Sequence, residues 1–291
     1  MTVMKALIAF ASLLFLFHLS LYGASSVWKA TKGDRILYLG GTIHILRSGD
    51  FPLPREFDRA FAYSDAVVFE TDLQSTISAP FAAEMARHMF LPPTSSLSEV
   101  LKPATYRAMK EYLSSQGESI LPYERLRPWA AATMMAQKRL AREGIDESGV
   151  DAYYARRALD ERKEPRFLET PAEQLAVIVR MGEGEEDELI LQTIREMQTL
   201  SQSVEWLIRE WREGKTVRIE RELVDTMKSQ SPNMYREILQ KRNRTWLPKL
   251  MEWSDEGKTL FVLVGTMHLL GDEGLLSALE KEGYSLTPLS E

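Results

Sequence analysis

Two stretches near opposite ends of the chain share one hydrophobic pattern. Residues 36–46, ILYLGGTIHIL, and residues 261–271, FVLVGTMHLLG, each begin with an apolar run and then break at a glycine. Short apolar runs bounded by turn residues are typical of strands that are buried on both faces. Each stretch therefore predicts a buried strand that ends in the tetrapeptide Gly-Thr-x-His.

The surroundings of both stretches predict βαβ-like units. A helical pattern follows the first stretch and leads to a second apolar strand, AVVFE, which ends at Glu70. The closing segment, from residue 260 to residue 289, repeats the order of strand, Gly-Thr-x-His, helix and strand. Strand–helix–strand units are the building blocks of parallel sheets.

Between the two ends, residues of about 81–256 have helical patterns, with one short strand near 166–169. No linker rich in Pro, Gly or Ser divides the chain. The sequence thus predicts an α/β fold, with a single domain over residues 27–291. Its central mixed or parallel sheet is built from two similar βαβ-like halves, 27–75 and 258–291, with a large helical insertion between them.

Residues 1–26 have the order of a secretory signal peptide: Lys5, a long apolar stretch and then small residues. The alternative is an uncleaved N-terminal anchor, because the apolar stretch approaches the length that spans a bilayer. Either interpretation predicts an exported protein in the periplasm or another extracytoplasmic space. Membrane contact is expected only through this segment, if it stays uncleaved.

Composition narrows the chemistry. The chain has no cysteine, which excludes disulfides, thiol nucleophiles and cysteine-bound metal. Its formal net charge is −6, whereas nucleic-acid phosphates require a basic face. We therefore expect no nucleic acid as partner. The expectation of a peptide or small-molecule substrate depends on the motifs and not on composition.

Four predicted strand ends carry groups suited to catalysis: His44, Glu70, Glu169 and His268. In open α/β sheets, ligands bind at the carboxyl ends of the strands, so these side chains are expected at one edge. Two imidazoles and one carboxylate, His44, His268 and Glu70, suit a divalent metal with an open position. Such a metal promotes hydrolysis. A single Gly-Thr-x-His is also typical of an ordinary strand-to-loop turn.

Further motifs resemble the TraB/GumN family, which is similar to the TIKI metalloproteases and more distantly to the ChaN and erythromycin-esterase group. The resemblance covers about residue 27 to the C-terminus. It is carried by YLGGTIHIL, LPREFDRAFAYSDAVVFETD, GVDAYYARRALDERKEPRFLETPAEQL, LQKRNRTWLPKL and LFVLVGTMHLLGDEGLLSALEKEGYSL. It implies an α/β fold with paired G-x-x-H motifs and an acidic residue after the first. The paired motifs fall on Gly41 to His44 and on Gly265 to His268, and the acidic residue falls on Glu70. The family's Arg-Asn pair, Gly-x-Asp and Leu-Glu-Thr fall on Arg242-Asn243, on Gly149 with Asp151, and on Leu168 to Thr170. An Arg-Pro-Trp at Arg127 to Trp129 is similar to the family's Arg-containing segment.

The resemblance to the TIKI branch implies a peptidase that favours manganese or cobalt, and the ligand types also suit zinc. His44 and His268 are then metal ligands, and Glu70 is either a third ligand or the general base. The erythromycin-esterase relatives use a similar set for hydrolysis, not always with metal.

Three further site candidates each keep an ordinary alternative. Arg242 is a candidate clamp for an oxyanion or carboxylate, or else an arginine on a helix surface. Asp151 would orient an imidazole, or else is an acidic residue that the helix dipole favours in the first turn of a helix. Glu169 belongs to the site, or else caps a strand end.

The preferred hypothesis is an exported, divalent-metal-dependent hydrolase that acts like a peptidase. One alternative is a non-catalytic exported accessory protein that binds a ligand or haem in the same pocket. Another is a metal-independent, esterase-like hydrolase.

Overall fold

The computed structural model describes residues 26–145 and 147–289. Apart from Ser26, the predicted export segment lies outside the described residues. Among those that are described, no helix is both long and apolar enough to cross a membrane. The strands are β1 (Val27–Lys32), β2 (Arg35–Thr42), β3 (Ile45–Leu46), β4 (Ala66–Phe69), β5 (Glu147–Ser148), β6 (Glu164–Phe167), β7 (Leu260–Gly265) and β8 (Ser285–Pro288).

Six strands form one mixed sheet in the order β6-β4-β7-β2-β1-β8. The four strands from β6 to β2 are parallel, whereas β1 runs antiparallel to both β2 and β8. The remaining strands, β3 and β5, form a separate two-stranded ladder. The predicted α/β fold and mixed sheet are confirmed.

The two ends of the chain meet at the centre of this sheet. Strand β7 pairs with β2 on one side and with β4 on the other, and Thr42 lies opposite Gly265. The two strands of the opening unit, β2 and β4, are therefore not neighbours, since β7 lies between them. In the closing unit, β8 crosses to the far edge beside β1. The halves interleave rather than stand side by side.

The burial of each strand matches its central or edge position in the sheet. Every residue of β4 and of β7 is buried, as expected for strands covered by helices on both faces. The edge strand β6 has the sequence EPRF and is only partly buried. Pro165 is tolerated there because an edge strand leaves one row of backbone groups unpaired.

In chain order the α-helices are α1 (Arg55–Tyr63), α2 (Leu73–Thr76), α3 (Ala79–Met89), α4 (Leu97–Val100), α5 (Pro103–Ser115), α6 (Pro128–Arg142), α7 (Val150–Asp160), α8 (Pro171–Arg180), α9 (Glu186–Gln198), α10 (Leu200–Arg212), α11 (Thr216–Ile219), α12 (Thr226–Gln230), α13 (Pro232–Tyr235), α14 (Lys241–Ser254), α15 (Thr266–Leu269) and α16 (Leu275–Lys281). Two π-helical segments, Glu220–Asp225 and Arg236–Gln240, precede α12 and α14. Short 3₁₀ turns lie at Ser48–Asp50 and Leu121–Tyr123.

Two apolar clusters stabilise the described part of the chain. The first joins the sheet to α1, α7, α10 and α14, with Phe57, Trp211 and Trp246 at its centre. The second lies within the helical insertion, where Met109 and Ile190 pack between α5, α6 and α9. Strand β6 interrupts the insertion in sequence and adds itself to the main sheet.

Candidate functional site

The carboxyl edge of the parallel strands brings the three predicted metal ligands together. The Nε2 atom of His44 lies 3.9 Å from Oε1 of Glu70, and the Nε2 atom of His268 lies 4.0 Å from the same oxygen. Glu70 directly follows β4, whereas the histidines follow β2 and β7. Convergence of residues that are remote in sequence results from the interleaved strand order.

The first histidine is oriented by a carboxylate. The Nδ1–H of His44 donates to Asp151 at 2.8 Å, since a carboxylate only accepts. Its Nε2 atom therefore faces Glu70. Thr42 donates to the other oxygen of Asp151 at 2.9 Å. The charge of Asp151 raises the pKa of His44 to about 9, and burial acts in the opposite direction. The side chain is 60% exposed, so water screens part of this attraction.

Gly149 allows Asp151 to approach the His44 segment. Its amide donates to the carbonyl of His44 at 3.0 Å, and the next amide, of Val150, donates to the carbonyl of Ile43. A Cβ atom on Gly149 would lie 2.1 Å from the Ile43 oxygen, a contact that only a backbone shift could relieve. The G-x-D motif is thus explained by close approach to the first Gly-Thr-x-His.

The second histidine is oriented by an amide. The amide nitrogen of Asn243 donates to the carbonyls of His268 and Glu273, each at 3.0 Å. Its oxygen therefore accepts from Nδ1–H of His268 at 2.7 Å, which leaves Nε2 of this imidazole as an acceptor. Burial, together with the nearby cations Arg242 and His44, lowers the pKa of His268 to about 3. This imidazole is neutral at physiological pH.

Arg242 connects the second histidine to two carboxylates. Its guanidinium binds both oxygens of Glu169, at 2.7 and 3.0 Å, and Oε2 of Glu70 at 2.6 Å. It also donates to Nε2 of His268 at 2.9 Å and to the carbonyl of Ile238 at 3.3 Å. These contacts use all five N–H donors of an arginine. Arg242 is 10% exposed at its side chain and is therefore not a helix-surface arginine.

The two carboxylates respond differently to the shared arginine. Burial acts to raise the pKa of Glu70, but Arg242, the two histidines and the amide of Gly265 together lower it to about 2. For Glu169 burial prevails, aided by the charge of Glu70, and its pKa is raised. Glu70 is thus the carboxylate that stays ionised in the site.

Gly265 keeps the space between the first histidine and the carboxylate clear. Its amide donates to Oε1 of Glu70 at 2.7 Å. A Cβ atom there would lie 3.1 Å from Nε2 of His44 and 3.4 Å from Oε1 of Glu70. A larger residue before the second Thr-x-His would therefore press on the side chain of His44.

Several residues that position the site were not nominated by the sequence. Thr266 donates to the carbonyl of Thr42 at 3.0 Å and so joins the two motifs directly. The Trp246 ring lies 4.4 Å from the His268 ring and 4.5 Å from the Arg242 guanidinium, measured to the ring centre. The position of Trp246 one helical turn after Arg242 was the available signal. Arg127, which the resemblance had suggested, is exposed at the N-cap of α6.

A cavity of about 300 Å³ opens above these groups. His44, Arg242, Gly265 and His268 lie on its floor, and aliphatic side chains form most of its walls. Within residues 26–145 and 147–289, no three His, Asp or Glu side chains are gathered closely enough to form a ready-made metal site. At His268 the position facing an incoming ion is taken by Arg242.

The fold and site define an α/β protein with two histidine motifs at one sheet edge. The sequence model of the TraB/PrgY/gumN family matches residues 26–288, and the chain belongs to this family. It is similar to the Uncharacterized protein YbaP of Escherichia coli strain K12, with 23% identity over 273 residues. That similarity covers 88% of this chain and 97% of that protein. The protein of the same name from Shigella flexneri is similar to the same extent. No solved structure matches the chain.

Proposed function

We propose that this protein is a hydrolase that cleaves peptide bonds with a divalent metal ion held by His44, Glu70 and His268. The observation that supports this most directly is that two imidazole Nε2 atoms face one oxygen of Glu70, at 3.9 and 4.0 Å. Two nitrogens and one carboxylate form a ligand set that leaves a position open for water. Manganese, cobalt and zinc all suit these ligand types.

The donor atoms fit a divalent ion in tautomer, but their spacing must shorten on binding. Two ligands of one tetrahedral ion with bonds of about 2.1 Å lie about 3.4 Å apart, whereas the two spacings here are 3.9 and 4.0 Å. Asp151 and Asn243 hold the Nδ1 sides, so the Nε2 lone pairs remain for the ion. Binding requires His44 to release its proton and Arg242 to withdraw from Nε2 of His268.

The residues of the chain have distinct roles in this proposal. A bound ion would lower the pKa of its water and polarise the scissile carbonyl. Glu70, ionised in the site, serves as a third ligand or as the general base that accepts the proton of the water. Arg242 holds Glu70 and Glu169 in place. Its N–H released from His268 then becomes available to a developing oxyanion, which is the clamp role expected from sequence.

A second candidate is hydrolysis without metal, and the hydrogen bond from Arg242 to His268 favours it. That bond leaves His44 as the imidazole with an uncommitted Nε2. His44 paired with Asp151 would then be the base that activates water. Because Asp151 raises the pKa of His44 to about 9, the rate of such an enzyme should rise with pH up to that value.

Metal content and hydrolysis of purified variants test both candidates. We expect His44→Ala and His268→Ala to lose bound Mn²⁺, Co²⁺ or Zn²⁺ in elemental analysis, and to lose hydrolysis of a peptide and ester panel at least about 100-fold. The control is His88→Ala, because His88 is an exposed histidine on α3 that contacts Glu84 of the same helix. It should retain both properties.

Chelation separates the remaining outcomes. Loss of activity in EDTA that is restored by one of the three metals supports the metal enzyme. Activity that resists EDTA overturns the metal and supports the second candidate. Absence of turnover, with a saturable thermal shift by a ligand such as haem, overturns hydrolysis and supports a binding protein. Export is a prediction from residues 1–26, to be tested by fractionating cells that express the full chain.

A further inference from the structure

A second cavity adjoins the cavity above the histidines. The first, of about 300 Å³, contains the reacting groups on its floor. The second, of about 490 Å³, lies between α10, α11 and the π-helical segment Glu220–Asp225. Leu207 and Leu223 line both cavities. The two cavities therefore adjoin at these side chains, and together we call them the groove.

The part of the groove nearest the histidines is mostly apolar, and none of the described residues that line it is acidic. Its walls are aliphatic or thioether side chains: Ile43, Leu207, Ile219, Leu223, Ile238, Leu239 and Met267. Arg242 and the two imidazoles also line it. A charged side chain such as lysine or aspartate would lose its water against these aliphatic walls, which supply no hydrogen-bond partner. A large apolar side chain that enters this cavity takes no polar group out of water.

The far part of the groove is more polar. Trp206 and Val204 supply apolar surface, and Gln202, Ser203, Arg218 and Glu222 supply donors and acceptors. Arg218 lies over the Trp206 ring at 5.4 Å and pairs with the buried Glu210 at 3.1 Å, so this wall is held in place. Amide groups of a peptide backbone can hydrogen-bond along such a wall, whereas a hydrocarbon chain would leave its polar groups without partners.

Irregular backbone shapes the groove at two points. Leu223 lies in one π-helical segment and Ile238 lies in the other. π-helical turns cost hydrogen-bond geometry and occur frequently at functional sites. Here each one directs an apolar side chain towards the histidines.

We propose that the substrate is an extended peptide with a large aliphatic or aromatic residue beside the cleaved bond. That residue fills the first cavity, and the adjoining residues cross Leu207 and Leu223 into the second. This inference rests on the proposed hydrolase and adds its substrate class. Pockets of this kind discriminate by size: each methylene group changes kcat/KM about 10-fold or more.

The test uses blocked peptides that differ only in one residue, which is Leu, Phe, Ala, Asp or Lys. We expect kcat/KM for the Leu and Phe peptides to exceed that for Ala about 10-fold or more, with Asp and Lys lowest. Leu223→Trp narrows the passage between the cavities and should reduce the Leu-to-Ala ratio at least about 10-fold. Leu207→Ala widens it and should shift the preference towards a Trp peptide. Val217→Trp is the matched control, because Val217 is 81% exposed on the neighbouring α11 and lines neither cavity.

The outcomes distinguish peptide binding in the groove from the proposed hydrolase activity. Calorimetric binding of the same peptides to wild type and to Leu223→Trp gives a measurement that needs no turnover. If no peptide is cleaved but the Leu peptide binds wild type more tightly than Leu223→Trp, the groove is supported and the hydrolase is not. Cleavage of all five peptides at equal rates overturns the groove and leaves the hydrolase. Preference for a long-chain acyl ester over every peptide overturns the peptide assignment.

Discussion

His44 and His268 end two copies of one motif, yet their surroundings differ in charge and exposure. His44 is 60% exposed, donates to the carboxylate of Asp151, and has its pKa raised to about 9. His268 is 4% exposed, donates to the amide oxygen of Asn243, and has its pKa lowered to about 3. The same four-residue pattern therefore yields one protonated and one neutral imidazole at neutral pH. The partner of Nδ1 and the access of water decide the difference.

The backbones diverge as well. After Thr42 the chain bends at His44 and enters β3, whereas Gly265 is followed at once by α15. The first path leaves the side chain of His44 60% exposed beside the cavity. The helical path turns His268 beneath Trp246 and towards Arg242. The imidazole of His44 is open to solvent, whereas the imidazole of His268 is buried and its Nε2 accepts a hydrogen bond from Arg242.

The largest expected effect on stability comes from replacing Arg242, which contacts the buried histidine, His268. Arg242→Met leaves Glu70 and Glu169 buried without their cation, so we expect the free energy of unfolding to fall by about 3–5 kcal/mol. Urea unfolding at neutral pH measures this change. The control Arg244→Met removes an arginine that is 70% exposed and pairs with Glu273, and should cost below about 1 kcal/mol. Equal effects of the two substitutions would contradict the assigned role of Arg242.

A smaller effect follows from the lowered pKa of His268. Below pH 6.5 the unfolded chain takes up a proton that the folded His268 resists until about pH 3, so stability falls as the pH falls through this window. Between pH 6.5 and 4.5, this group should account for a loss of about 2 kcal/mol. The lowered pKa of Glu70 acts mainly below that range. Urea unfolding of wild type and His268→Gln at both pH values measures the difference. Parallel pH dependence in the two proteins would rule out the buried neutral imidazole.

The smallest expected effect on stability concerns the exposed histidine, His44. Because the folded pKa of His44 is raised, its stabilisation is present below pH 6.5 and is lost as the pH rises through about 9. Asp151→Asn should return the pKa of His44 towards 6.5, as followed by NMR titration of the imidazole, and remove that alkaline loss. Solvent screening keeps the change in stability below about 1 kcal/mol. Asp160→Asn, an exposed aspartate of the same helix, should leave the titration of His44 unchanged.

Local patterns predicted the strands, because β4 and β7 are continuous apolar runs whose burial requires no further information. They also placed His44, Glu70 and His268 at strand ends. The insertion of β7 between β2 and β4 was not predicted, since strand order depends on pairing between segments far apart in sequence. Arg242 was ambiguous for a similar reason. The segment QKRNR has the composition of a helix surface, and only the π-helical turn before α14 and the packing of Trp246 reveal that Arg242 is buried.

The opposite protonation of the two motifs could not be predicted either. Asp151 and Asn243 lie far along the sequence from His44 and His268, the histidines that they contact, and one is a carboxylate whereas the other is an amide. The family resemblance named both residues without indicating which imidazole each one contacts. That assignment required the three-dimensional contacts.

The central position of β7 has a consequence for biosynthesis. Ribosomes deliver a chain from its N-terminus, so β2 and β4 are synthesised well before the strand that must lie between them. Until residues 260–265 emerge, both strands present bare hydrogen-bonding edges, which are prone to wrong pairing. A nascent chain therefore exposes these edges until translation is nearly complete, and a truncated form that ends before β7 lacks the strand that brings His268 to His44 and Glu70.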